Sequence, residues 1–136
     1  MRNFTAYKKI IFLRYFIELS YNGKKYHGWQ IQPDAVSVQE KLNAAISTIL
    51  QDKIEVVGAG RTDTGVHAAQ MFAHFNTQKE IEPTVVHKLN SILPNDITVS
   101  RVFLVEEEKH ARFHAESRSY EYRIWLGRNP FLLDFS

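Results

Sequence analysis

A chain of 136 residues is long enough for one domain that buries roughly two-thirds of its unfolded surface. With 44% hydrophobic and 24% charged residues it has the make-up of an ordinary globular fold, and a net charge of +2 neither demands nor excludes a nucleic-acid partner. The absence of cysteine excludes disulfides and thiolate zinc sites and is compatible with a reducing cytosol.

From Met1 to Phe16 charge alternates with apolar residues. The longest uncharged run there, Ile10-Ile11-Phe12-Leu13, is too short for a membrane span or a secretory core. Met1 to Leu13 reads as an N-terminal extension, residues 14–136 read as one domain, and the protein is expected to be cytoplasmic with no membrane partner. Arg14 to Tyr21 is rich in aromatic and β-favouring residues and stops at Asn22-Gly23, which predicts a strand and a turn. A loop from Lys24 to Val36 follows, carrying His27-Gly28-Trp29-Gln30.

Ser37-Val38-Gln39-Glu40 has the form of a capping box, and Val38, Leu42, Ile46, Ile49 and Leu50 then recur at helical spacing, so a helix is expected over about 38–51. Ile54 to Val57 predicts a short strand, and the alternation around Met71, Ala73 and Phe75 another. Pro83 suits the first turn of a second helix, with Val86, Leu89 and Leu93 on one face and Pro94 at its end. Ile97 to Val105 and Ser119 to Leu126 alternate as strands. The order predicts an α+β, ferredoxin-like or RRM-like βαββαβ sheet with helices on one face and one extra strand.

Between the second and third strands lies Gly58-Ala59-Gly60-Arg61-Thr62-Asp63-Thr64-Gly65-Val66-His67-Ala68. Its glycines permit positive φ and close approach of a partner. One reading is an ordinary turn in which Asp63 and Thr64 satisfy backbone donors. The other turns on Arg61, whose guanidinium near Asp63 would favour and orient an ionised carboxylate suited to nucleophilic attack.

This loop resembles the GRTDxGVH signature of the tRNA pseudouridine synthase A (TruA) family. Further segments match in the same order. Tyr26-His27-Gly28-Trp29-Gln30 resembles the family's YxGWQ, and Ser37-Val38-Gln39-Glu40 its SVQ-E helix start. Leu89-Asn90-Ser91-Ile92-Leu93-Pro94 resembles LNxxLP, and His110-Ala111-Arg112-Phe113 with Arg118-Ser119-Tyr120-Glu121-Tyr122 resembles HARF and RxYxY. The resemblance runs from about Arg14 to Phe131. Asn22 stands where the family usually has Asp, and family members continue into a second half related to the first, so the chain is expected to be an N-terminal half.

The resemblance implies an isomerase that converts uridine to pseudouridine on the 3′ side of the anticodon stem-loop of tRNA, working as a homodimer without a cofactor. Asp63 would be the catalytic carboxylate, attacking either base or sugar. Arg61 would pair with Asp63 and fill the space the flipped base vacates. Tyr120 would stack on the flipped base, returning on the order of 1–3 kcal/mol against the cost of unstacking. From its position and type alone, Tyr120 reads as a core residue alternating with Tyr122 and Ile124. Arg112 and Arg118 are candidate phosphate contacts, and Trp29 and His67 are candidate RNA contacts that serve equally as packing or turn residues. No cysteine accompanies the six histidines, and no metal site is expected.

Two rival readings remain at this point. Asp63-Thr64-Gly65 is also the DTG of retroviral-type aspartic proteases, although the nearby guanidinium of Arg61 works against proton sharing between two such carboxylates. A non-catalytic RNA-binding half-domain of RRM-like topology is the other, although no RNP1 motif is present.

Overall fold

The computed structural model describes residues 12–106. The strands are β1 (Leu13–Tyr21), β2 (Val57–Gly58), β3 (Ala68–Thr77) and β4 (Ile97–Val105), and the helices are α1 (Val38–Leu50) and α2 (Val85–Ile92). The sheet runs β2-β3-β1-β4, with every neighbouring pair antiparallel. Strands β1 and β2 therefore run parallel on either side of β3, and β3 and β4 on either side of β1. That is the interleaved pair of split βαβ units predicted for a ferredoxin-like sheet. The predicted strand over Ser119 to Leu126 and most of the N-terminal extension lie outside the described residues.

Alternation on the strands decides where the core forms. Tyr15, Ile17, Leu19 and Tyr21 of β1, Met71, Ala73 and Phe75 of β3, and Ile97 and Val99 of β4 share one buried face. Against it lie Val38, Leu42, Ala45, Ile46 and Leu50 of α1 and Val85 and Leu89 of α2, so both helices cover the same side of the sheet. The Ser37 hydroxyl accepts from the Glu40 N–H at 3.2 Å and caps α1, as the sequence predicts. Among the described residues the reciprocal bond from the Glu40 carboxylate is absent. Gln51 closes the helix in the left-handed region, at φ 52°.

Two boundaries differ from expectation. Strand β1 begins at Leu13, which pairs with Thr77, so the extension yields its last residue to the sheet. The strand expected over Ile54 to Val57 is reduced to Val57–Gly58, although Ile54 and Val56 are buried. Polar side chains of α1 take the backbone groups that a ladder would have used. The Ser47 hydroxyl accepts from Ile54 N–H at 2.9 Å, Asn43 Oδ1 accepts from Val56 N–H at 2.8 Å, and Gln39 Nε2 donates to the Val56 carbonyl at 2.7 Å. The segment is thus stitched to the helix, and its paired length shrinks.

The opposite face of the sheet carries Phe16 between His74 and Phe103, with ring centroids 6.1 and 5.9 Å apart, and Arg101 over Phe103. Beside them Glu18 accepts from Gln70 Nε2 at 2.7 Å and from Arg101 Nε at 2.6 Å, joining three strands. These two bonds, Gln70 first, hold the Glu18 carboxyl below the usual glutamate range. A folded-state pKa below the unfolded one stabilises the fold above about pH 4.3, and the gain fades as pH falls through the lowered value. The difference in melting temperature between the protein and Glu18→Gln is therefore expected to be steady near neutrality and to narrow below about pH 4. A difference that widens on acidification would contradict this.

Candidate active-site loop

Tyr21 ends β1 opposite both Ala68, which opens β3, and Ile97, which opens β4. The loops after β1, after β2 and before β4 therefore meet at one end of the sheet. In the loop after β2, Ala59 N–H still donates to the Phe72 carbonyl at 2.8 Å, and the chain then leaves the ladder. Thr62 turns inward. Its hydroxyl shares a 2.8 Å hydrogen bond with the Tyr21 hydroxyl, and its carbonyl accepts from Trp29 N–H at 3.3 Å. Burial pushes the Tyr21 phenol up, partly opposed by the Thr62 bond, so it stays protonated and able to hold that contact.

Asp63 comes next and opens a tight turn. Its main-chain carbonyl accepts from Val66 N–H at 3.2 Å, with Gly65 at φ +81° in the third position, as a type II turn requires. Gly65 N–H donates to the Tyr26 carbonyl at 3.1 Å. His67 closes the loop, its Nδ1 accepting from Gly23 N–H at 2.9 Å, which places the ring proton of the neutral imidazole on Nε2.

The loop after β1 is keyed into this one through two glycines. A Cβ on Gly23 would lie 1.9 Å from the Val66 carbonyl oxygen, and one on Gly28 would lie 2.2 Å from that of Thr62. Gly28 also holds φ +79°. The two backbones thus touch on both sides of Asp63, an approach open only to residues without a side chain.

The predicted site residues fare differently within this frame. Asp63 and Arg61 are both exposed, and the expected ion pair between them is not formed among the described residues. An exposed pair gains little in water, and the inward turn of Thr62 leaves its two neighbours facing solvent. The Asp63 carboxylate accepts no hydrogen bond among the described residues; it is the main-chain carbonyl that makes the turn, contrary to the turn-only reading of this side chain. Trp29 is 1% exposed, stacked 6.5 Å from Tyr21 and packed on Gly58. Of the two roles the sequence left open for it, the ring takes the packing one here, and its backbone holds Thr62. His67 is a half-buried brace for Gly23. Tyr120, Arg112 and Arg118 lie outside the described residues. Tyr21, Thr62 and Asp96 were not singled out in the sequence, although Asp96 lies two residues beyond the LNSILP segment and Tyr26 opens the YHGWQ segment.

Fold and loop together define a class: a ferredoxin-like α+β domain that presents a solvent-facing carboxylate on a braced, glycine-turned loop at one end of its sheet. A profile of the tRNA pseudouridine synthase family matches residues 19–114. The chain is 53% identical over 119 residues to a tRNA pseudouridine synthase A of Bacteroides thetaiotaomicron, covering 87% of this chain and 44% of that protein. It is 51% identical to the protein of the same name from Bacteroides fragilis, over 87% of this chain and 48% of that one, and 42% identical to that of Aquifex aeolicus, over 90% and 52%. The chain belongs to the tRNA pseudouridine synthase family, and it spans about half the length of the curated relatives it matches. With that membership and two helices packed on the sheet, the aspartic-protease reading of Asp63-Thr64-Gly65 falls away.

Proposed function

We propose that the protein to which this chain contributes isomerises uridine to pseudouridine in tRNA, with Asp63 as its nucleophile. The observation that carries this reading is the contrast between backbone and side chain at Asp63. Main-chain bonds to Trp29 and Tyr26 and the turn from Asp63 to Val66, with the Thr62 hydroxyl tied to Tyr21, hold the segment from Thr62 to Val66, while the Asp63 carboxylate itself is unpaired among the described residues and open to solvent. A nucleophile needs such preorganisation together with freedom from competing partners.

The reaction breaks the bond from ribose C1′ to uracil N1 and, after the base turns, forms one from C1′ to C5. The C5 proton leaves to solvent and N1 gains one, so the sum is redox-neutral and calls for no cofactor. Arg61, two residues before Asp63 and also exposed, fills the stack from which the base departs. Tyr120 stacks on the extruded base, and Arg112 and Arg118 contact phosphates of the anticodon arm. In this reading the enzyme is a cytoplasmic homodimer whose tRNA surface draws on the other half of the polypeptide.

Mapping pseudouridine in tRNA transcripts treated with the natural reading frame that contains this chain tests the substrate. The expected product lies on the 3′ side of the anticodon stem-loop, with only weak turnover by the 136 residues alone. Pseudouridine confined to another arm, or robust turnover by the isolated chain, would overturn this assignment.

A further inference from the structure

The Asp63 loop is braced from a direction that the reaction does not account for. Tyr26 is 4% exposed, and its two ends face different parts of the fold. Its main-chain carbonyl accepts from Gly65 N–H at 3.1 Å, two residues beyond Asp63, and its hydroxyl donates to Asp96 Oδ1 at 2.5 Å. Asp96 sits in the turn between α2 and β4. That turn is closed by Ile97 N–H donating to the Pro94 carbonyl at 3.1 Å, and it is tied to the end of β1 by Asn22 N–H donating to the Asp96 carbonyl at 2.9 Å. Asp96 is therefore held by its main chain while its carboxylate holds the tyrosine.

We propose that Tyr26 and Asp96 are a positioning pair that fixes the Asp63 loop against the α2–β4 turn, acting on turnover without touching substrate. The inference rests on the reading of Asp63 as nucleophile. Its physical content is leverage: the phenol reaches from a turn anchored in the sheet to the strip of backbone that aims the carboxylate. A hydrogen bond to a charged acceptor is shorter and stronger than one between neutral groups. Burial, together with the Asp96 carboxylate, pushes the Tyr26 phenol far above its ordinary value, so the proton stays on the tyrosine at any physiological pH. The same link explains why a proline-ended helix distant in sequence belongs with the catalytic loop. Leu89 and Leu93 are buried and seat α2, and the turn that follows carries the acceptor for Tyr26.

The test uses Tyr26→Phe, Asp96→Ala and Asp96→Asn in the natural reading frame, with kcat, KM, tRNA affinity and melting temperature measured on each. Misplacing a reacting group by an ångström costs up to about a hundredfold, so Tyr26→Phe and Asp96→Ala are each expected to lower kcat by roughly 10–100-fold. KM and tRNA affinity should stay within about twofold, because no substrate contact is removed. The double variant should be no slower than either single one. Asp96→Asn should recover most of the rate, since its amide oxygen still accepts the phenol's proton. An unchanged kcat, a parallel loss of affinity, or no rescue by asparagine would overturn the pair. Should Tyr26→Phe fail to fold, the partly exposed Asp96 gives the same reading. Amide exchange of Gly65 in the natural reading frame supplies a readout independent of activity, expected to quicken about tenfold in Tyr26→Phe. If the parent enzyme makes no pseudouridine, faster Gly65 exchange sustains the positioning pair while the functional reading fails. Unchanged exchange rejects the pair on its own.

Discussion

Alanine at position 28 is expected to destabilise the fold by roughly 2–4 kcal/mol and to remove turnover with it. Gly28 holds φ +79°, a region that costs an L-residue on the order of 1–2 kcal/mol. Conformation is only part of the effect. The added Cβ would stand 2.2 Å from the Thr62 carbonyl oxygen, and that atom belongs to backbone, which cannot swing aside as a side-chain tip can. To make room the Thr62 peptide must move, and with it go the bond from Trp29 N–H and the alignment of the next residue, Asp63. Gly65 provides the control. It too has positive φ, at +81°, but a Cβ there meets nothing within 4 Å, so Gly65→Ala should cost only about 1 kcal/mol. Denaturant midpoints of the two variants decide the matter. Equal losses would mean that conformation alone sets the cost and that the keyed contact between the loops contributes nothing.

Removing the carboxylate of Asp63 should do the opposite. Asp63→Ala is expected to keep stability within about 0.5 kcal/mol of the parent, since the side chain is exposed and its main chain makes the turn. Turnover should fall by roughly 10⁴-fold or more, as when a covalent nucleophile is deleted. Binding of tRNA should persist, because phosphate contacts carry most of the affinity. The two variants thus separate a residue that builds the loop from one that the loop exists to present. Loss of stability in Asp63→Ala would instead mark the carboxylate as a structural cap.

The fold was legible wherever periodicity met a clear cap. Ser37 and the apolar spacing of Val38, Leu42, Ile46 and Leu50 mark α1 to within a residue, because a helix carries its hydrogen bonds and its stop signals locally. The second strand was less legible. Ile54 and Val56 are as buried as strand residues, yet Ser47, Asn43 and Gln39 take their backbone groups, and no local pattern announces bonds from a helix several residues away. The candidate site was legible through its motif and less so through its physics. The loop around Asp63 stands out by resemblance, whereas the spacing of Arg61 and Asp63 predicts an ion pair that solvent exposure leaves unformed among the described residues. Trp29 was ambiguous because an aromatic in a loop can face either way; the absent side chain of Gly58 is what admits the indole to the core. Asp96 was invisible, since its role arises only when the end of β1 and the turn before β4 come together in space.

Uridine isomerisation by the Asp63 loop is tested most directly by release of tritium from tRNA labelled at uridine C5. Exchange of C1′ from N1 to C5 must expel the hydrogen at C5, so each turnover frees one label to water. The natural reading frame should release tritium from tRNA, and its Asp63→Ala variant, equally folded, should release none above background. No release by the intact, folded parent across a range of tRNAs would contradict the account and leave a domain that binds RNA without acting on it.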